Sequence, residues 1–367
     1  MNKKIIISLL LGFVISSIGL YLGLRNVPLP ELYLYFKSIN YFWVVPASVI
    51  VIFSFVVRAL RWQVILTSSH KVGFFAAFHP LMIGFMINCI LPGRIGEVAR
   101  PAIIKQKVDI PFSTGFATVA AERAFDMMIL MGLFAWMLST VDFHSGVDIP
   151  FRNHHLNKAT LESIGNGMVK LSLLLIIGIC LLSVNASRKL INRGIMALPS
   201  LFSFLGPSAK STIRHKICTP LINFLENLSI GFSLVRYPVK ILLCIGLSII
   251  IWSLQAYSYY LVARGCPGIS LSYVDIYTVM IIICFFIALP SVPGFWGLWE
   301  AGGIFALALF GVSSKEAAGY TLANHAIQML PVVIIGLISA VLISVNIWQV
   351  SYGKNIITSP DPARNEK

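Results

Sequence analysis

Uncharged apolar runs of about twenty residues follow one another along nearly the whole of this 367-residue chain, and few folds can hold them. Backbone placed in lipid must satisfy its own hydrogen bonds, which long apolar runs do as helices. Composition points the same way: 57% of the residues are hydrophobic and 11% charged, against about 25% charged in a soluble domain. The chain is therefore expected to be an all-α polytopic integral membrane protein, with no room for a separate globular catalytic domain. Its net charge of +14 is read as basic cytoplasmic loops meeting anionic headgroups. No stretch resembles a nucleic-acid module, and nucleic acid is not expected as a partner. The cysteines at 89, 180, 218, 244, 266 and 284 lie mostly in apolar runs without a C-x-x-C, so free thiols are expected rather than disulfides or a zinc site.

Charge flanks orient the runs. Lys3 and Lys4 precede an apolar run over 5–24 that is too long for a signal peptide and lacks an Ala-x-Ala cleavage site. It is expected to remain as a first span with a cytoplasmic N-terminus. A second span over 41–57 ends in Arg58-Ala59-Leu60-Arg61-Trp62, which reads as a cationic and aromatic anchor at the cytoplasmic interface. Residues 74–91 are apolar enough to span, but 95–104 behind them are fewer, and positive residues flank the pair on both sides. Ten helical residues rise only about 15 Å, half the hydrocarbon thickness. A re-entrant hairpin with Pro92-Gly93 near its tip is expected.

A long helix over 111–140 follows, then an external polar loop over 141–167 and a returning span over 168–184. The basic connector 185–240 sets Arg188, Lys189, Arg193, Lys210, Arg214, Lys216, Arg236 and Lys240 against Glu226 alone. Its apolar stretches 191–204 and 217–232 either lie in the interface plane or belong to a solvated connector. Spans over 241–262 and 273–289, a break over 290–294, a segment over 295–311 and a helix over 317–345, broken or kinked near Pro331, complete the pattern. A cytoplasmic tail occupies 351–367. One transmembrane unit is expected over 1–350, with halves at about 41–140 and 241–347, in the cell membrane.

The halves repeat one frame. Pro92-Gly93-Arg94-Ile95-Gly96-Glu97 lies beside Pro293-Gly294-Phe295-Trp296-Gly297-Leu298-Trp299-Glu300. A long helix with a small-residue opening follows each, and Glu97 to Glu122 and Glu300 to His325 are both 25 residues apart. The charge flanks make the halves opposite in direction. Two inverted repeats, each with a re-entrant helical hairpin, are expected, and such repeats whose broken helices meet near the midplane mark transporters. Glu97 and Glu300 are expected to line a shared polar cavity there.

Charges in such a region need a reason. Arg94, Glu97 and Arg100, three residues apart, share about one helix face. With the free N–H groups behind Pro92-Gly93 they form an anion site for a lipid phosphate, or the arginines snorkel and pair with Glu97 for stability. Glu122 and Asp126, with Arg123 alongside, either hold the hairpin through its arginines or form a headgroup or relay site. Glu300 either accepts hydrogen bonds from broken backbone or binds a cation or proton. His325 is a satisfied core group or a ligand. Asn88 and Asn324 are expected to satisfy backbone at the breaks, and Trp296 and Trp299 to pack. No catalytic constellation, metal-ligand spacing or nucleotide motif occurs, so no cofactor or metal is expected.

Together, Asn88…Leu91-Pro-Gly-Arg94-x-Gly-Glu97-x-x-Arg100-Pro101, Glu122-Arg123-x-x-Asp126 and Pro293-Gly-x-x-Gly-x-x-Glu300 resemble the transmembrane region of lysylphosphatidylglycerol synthase. That region is the flippase-like half of the multiple peptide resistance factor, and the resemblance covers about 5–350. It implies binding or flipping of a lipid, either an anionic or aminoacylated phospholipid or a lipid-linked sugar, through Arg94, Glu97, Arg100, Glu122, Arg123, Asp126 and Glu300. Full-length family members continue into a soluble aminoacyl-transferase domain. No such domain is expected in this sequence, so transferase activity is not carried over. The rival expectations are a membrane-embedded enzyme using Glu97 or Glu122 as base, and a membrane subunit for a soluble lipid-modifying enzyme.

Overall fold

The computed structural model of the chain describes residues 28–346 except 92–93, 141–148, 152–153, 157, 202–205 and 289–292, together with Ser17 and Tyr21. Apart from Ser17 and Tyr21, the expected first span over 5–24 falls outside the described residues, as do the tail over 351–367 and Pro92 and Gly93.

Short helix α1 (Leu29–Ser38) leads into α2 (Val44–Leu66) through a single 3-10 turn, Tyr41–Trp43. Asn40 opens that turn by accepting the Phe42 N–H on its side chain. Helix α2 continues well beyond the expected end at residue 57. Arg58, Arg61 and Trp62 are buried along it, so the expected interface anchor is instead part of the interior. The continuation follows from Val64, Ile65 and Leu66, which extend the apolar helix past the charges.

Helices α3 (Phe74–Ile90) and α4 (Ile95–Val108) form the first broken pair, and α5 (Phe112–Thr140) follows. Gly84 and Gly96 let α3 and α4 touch backbone to backbone, since a Cβ on Gly96 would collide with the Gly84 carbonyl. Small residues at such contacts are how helices pack closely in lipid. Within the expected external loop, Ile149–Phe151 pairs antiparallel with His154–Leu156. The next helix, α6, already starts at Lys158 and runs to Ser183.

The connector is helical in α7 (Asn185–Leu201), α8 (Pro207–Ile213) and α9 (Thr219–Gly231). Its second part is not a free surface segment. Thr114 Oγ1 on α5 donates to the Asn227 carbonyl at 3.3 Å, and Ser229, Gly231, Phe232 and Leu234 are buried. By length and composition, Lys210–Arg236 can cross a membrane, as can Tyr41–Leu66, Pro238–Gly265 and Ser314–Leu342.

In the second half, α10 (Pro238–Gly265) runs antiparallel to α2. The Asn40 N–H donates to the Gly265 carbonyl at one end, and Lys240 Nζ donates to the Thr67 carbonyl at the other. Helix α11 (Tyr273–Ile287) starts at a capping box in which Ser272 and Asp275 satisfy each other's backbone N–H. Helix α12 (Leu298–Ala308) is its partner across the second break. Helix α13 (Ser314–Leu342), capped by Ser313, continues through Pro331 as one helix, without the break expected there. It packs on α3, where Gly336 admits Met86, and so joins the two halves.

Candidate functional site at the meeting of the two breaks

At the first break, Arg94 precedes α4 in a left-handed conformation with φ 55°. At the second, Gly294, Phe295 and Gly297 have φ of 67°, 61° and 88°. Left-handed backbone costs non-glycine residues about 1 kcal/mol or more, so Arg94 and Phe295 are held by their surroundings. The two breaks touch. Arg94 Nη2 donates to the Ile287 carbonyl at 2.8 Å, its guanidinium lies 5.8 Å from the Phe295 ring centre, and the Cys89 carbonyl faces Gly294.

Three of the N–H groups expected to be free at the tips already have partners. Gly96 donates to Asn88 Oδ1 at 2.8 Å, the Glu97 N–H to the Arg94 carbonyl, and Gly297 to Glu300 Oε2 at 2.6 Å. Asn88 therefore serves the backbone as expected. Asn324 does not. Its Oδ1 accepts from Gln328 Nε2 at 3.2 Å.

Between the breaks lies a cavity of about 210 Å³. Arg94, Glu97 and Arg100 line it from the first break and α4, and Arg123 and Asp126 from α5. Gly294, Phe295 and Trp299 belong to the opposite wall, with His325 and Gln328 of α13. Glu97 pairs with Arg94 at 3.8 Å and not with the cluster around Glu122. Neither Glu122 nor Glu300 lines the cavity, so Glu97 and Glu300 do not share it; Glu300 meets it only through His325.

Behind the cavity wall is a buried charge cluster with Glu122 at its centre. Arg100 grips Glu122 with both terminal nitrogens, at 3.2 and 2.7 Å, while its guanidinium stacks 4.1 Å from Trp62. Arg123 reaches the same carboxylate at 2.7 Å and Asp126 at 3.4 Å. Arg61, fully buried, donates to Asp126 at 2.7 Å and to Ser248 at 2.7 Å, and lies 3.6 Å from Glu122. Both terminal nitrogens of Arg100 are thus taken by Glu122 and do not pair with Arg94 over a shared anion site. A carboxylate already held by three guanidiniums is also a poor base.

Arg58 and Arg61 are the site residues that sequence reasoning missed. The signal was available: both charges are followed by further apolar helix, which an interface anchor is not. Gln255 and Gln328, bonded side chain to side chain at 2.6 Å across α10 and α13, carried no local signal.

At the second break His325 is clamped on four sides. Its Nδ1 lies 2.6 Å from Glu300 Oε1 and its Nε2 2.8 Å from the Gly294 carbonyl. Trp299 stacks flat on the ring and Trp296 lies tilted against it, both with ring centres 4.4 Å away. A carbonyl oxygen only accepts, so Nε2 carries a proton. The contact from Nδ1 to Glu300 then needs a second proton between nitrogen and carboxyl. The pair is therefore neutral overall, as imidazolium with carboxylate or as imidazole with carboxylic acid.

A family model described as the lysylphosphatidylglycerol synthase TM region matches residues 9–336. Glycosyltransferase AglD of Haloferax volcanii is 32% identical over 108 residues, which is 29% of this chain and 17% of that protein. UPF0104 membrane protein MJ1078 of Methanocaldococcus jannaschii is 31% identical over 112 residues, 30% of this chain and 44% of that protein. The matched stretch spans less than half the length of either relative. No solved structure matches the chain.

Proposed function

We propose, from the premise that the chain belongs to the lysylphosphatidylglycerol synthase transmembrane-region family, that it binds a lipid headgroup between its two breaks and moves that lipid between leaflets. The observation that carries this reading is the cavity itself, a charged chamber built jointly by both broken helix pairs inside an apolar protein. Burying charge at such a place is costly and is kept where polar cargo passes. At about 210 Å³ the chamber is smaller than a drug-sized ligand pocket of about 300–1,000 Å³. It suits a headgroup while the acyl tails stay in the bilayer.

In this reading the two broken pairs are re-entrant hairpins of two inverted repeats. Rocking one half against the other changes which leaflet the chamber faces. Arg94 and Glu97 contact the passing headgroup. Arg100, Glu122, Arg61 and Asp126 hold the first hairpin to α5 and α2. The basic connector and both termini lie on the cytoplasmic side of the cell membrane by the positive-inside rule.

The test is lipid translocation by the purified protein in liposomes, followed with a headgroup-labelled anionic phospholipid. Arg94 and Glu97 have side chains 41% and 26% exposed, so R94Q and E97Q leave the buried cluster intact. Loss of one charge-assisted contact is expected to slow transfer about tenfold or more. Wild-type rates in both variants would remove the site.

A second reading, a membrane subunit or membrane-embedded enzyme of lipid modification, is favoured by one observation, the printed name of the glycosyltransferase relative. Turnover of a lipid by the chain alone, or co-purification of a soluble lipid-modifying enzyme without any transfer activity, would select it.

A further inference from the structure

Arg58 stands apart from every other buried arginine. It is 7% exposed and lines the cavity from α2. Among the described residues its guanidinium has no ion pair, which is what distinguishes it; its Nε is buried without a hydrogen-bond partner, as are those of Arg61, Arg100 and Arg123. What surrounds it is aromatic: Phe55, Phe85 and Trp252, with ring centres 5.5, 5.9 and 5.6 Å from the guanidinium carbon. Rings can cover the faces of a guanidinium, but its donors point outward in its plane, and rings cannot accept them well.

The charges around it do not balance. Arg61, Arg100 and Arg123 share Glu122 and Asp126, which leaves one cation in excess, and Arg58 adds a second. Arg94 with Glu97 and His325 with Glu300 are balanced pairs. Two positive charges without an acid among the described residues, in a mostly buried cluster, are a strong demand for an anion. The cavity that Arg58 faces is where one can enter.

We infer that Arg58 is the anchor of an anion site in this cavity and that its ligand is a phosphate group. The planar fork can hold two phosphate oxygens at once, and the aromatic surround supplies no competing acceptor for its donors. This rests on the translocation reading for its source, a phospholipid headgroup; free phosphate has the same chemistry. It also moves the phosphate from Arg100, whose two terminal nitrogens are both on Glu122, to Arg58, which pairs with no acid among the described residues.

The test uses the full chain in detergent, with inorganic phosphate, a short-chain phosphatidylglycerol and a short-chain diacylglycerol as probes. Binding is read from the ligand-induced rise in unfolding temperature and from tryptophan fluorescence, since Trp252 adjoins the site. Both phosphate-bearing probes are expected to bind and to compete, and diacylglycerol is not. R58Q is expected to weaken both about tenfold or more, with R58K between it and wild type. The ligand-free unfolding temperature of R58Q should equal or exceed that of wild type, because an unpaired buried charge has gone. A cation–π keystone would lower it, which overturns the inference, as does undiminished phosphate binding by R58Q or equal binding of diacylglycerol. Phosphate binding lost in R58Q, in a wild type that moves no lipid, supports the site and removes translocation. Phosphate binding unchanged in R58Q, in a wild type that moves lipid, does the reverse.

Discussion

Arg94 and Phe295, 201 positions apart in the chain, are both held in left-handed backbone at φ 55° and 61° and meet side chain to side chain at 5.8 Å. Each break thus carries a left-handed residue whose side chain meets the other break. Two substitutions that both delete the Arg94 side chain separate backbone from side chain. R94G is expected to be more stable than R94A by about 1 kcal/mol, read as the difference in their unfolding temperatures. Equal values would mean that the left-handed turn relaxes without its side chain.

The His325–Glu300 pair needs one shared proton. In E300Q the amide can donate to Nδ1 of a neutral His325 while its oxygen still accepts from Gly297, so the second break should keep its shape. In H325A a buried carboxyl loses its proton partner, and a cost of about 3–5 kcal/mol is expected. Thermal unfolding of the two variants checks this. H325A as stable as E300Q would argue that water enters and replaces the imidazole.

Glu122 holds three arginines, whereas each arginine has only one or two acids. E122Q is therefore expected to destabilise by about 3–5 kcal/mol. R123Q, whose side chain is 25% exposed, should cost clearly less, because Arg100 and Arg61 still neutralise Glu122. Reversal of that order in detergent unfolding would show that Asp126, not Glu122, organises the cluster.

Gly96 and Gly132 make a matched pair. An added Cβ at Gly96 meets the Gly84 carbonyl and Asn88, while at Gly132 nothing lies within 4 Å. G96A should force α3 and α4 apart, lower stability and slow lipid transfer together. G132A should instead stabilise mid-helix α5 by about 0.5–1 kcal/mol. Transfer assays and unfolding on the same preparations read both, and an unperturbed G96A would mean the helix pair tolerates separation.

Much of this was legible beforehand. Long apolar runs marked most helices to within a few residues, because hydropathy is local. Pro-Gly pairs inside apolar stretches marked both breaks. The match between Glu300 and His325 was visible as a spacing, and the two residues do touch. At Glu97 and Glu122 the same spacing brings no contact. Glu97 turns to Arg94 at the cavity, and Glu122 is taken by Arg100. Nor could residue order reveal that the second part of the connector packs on α5, since the contact rests on Thr114 meeting Asn227 and Ala117 meeting Gly231.

By itself, then, the sequence determined that this is a multi-pass helical membrane protein with two broken segments and that charges near them require partners. Those conclusions follow from hydrophobic length and backbone chemistry, which act over a turn or two of chain. Only the tertiary structure decided which partners were taken. Arg61 finds Asp126 and Ser248, 65 and 187 positions away, Arg100 is consumed by Glu122, and Arg58 faces the cavity without an ion pair among the described residues. Pairing between buried charges depends on helix rotation and crossing, and packing sets both across the whole molecule.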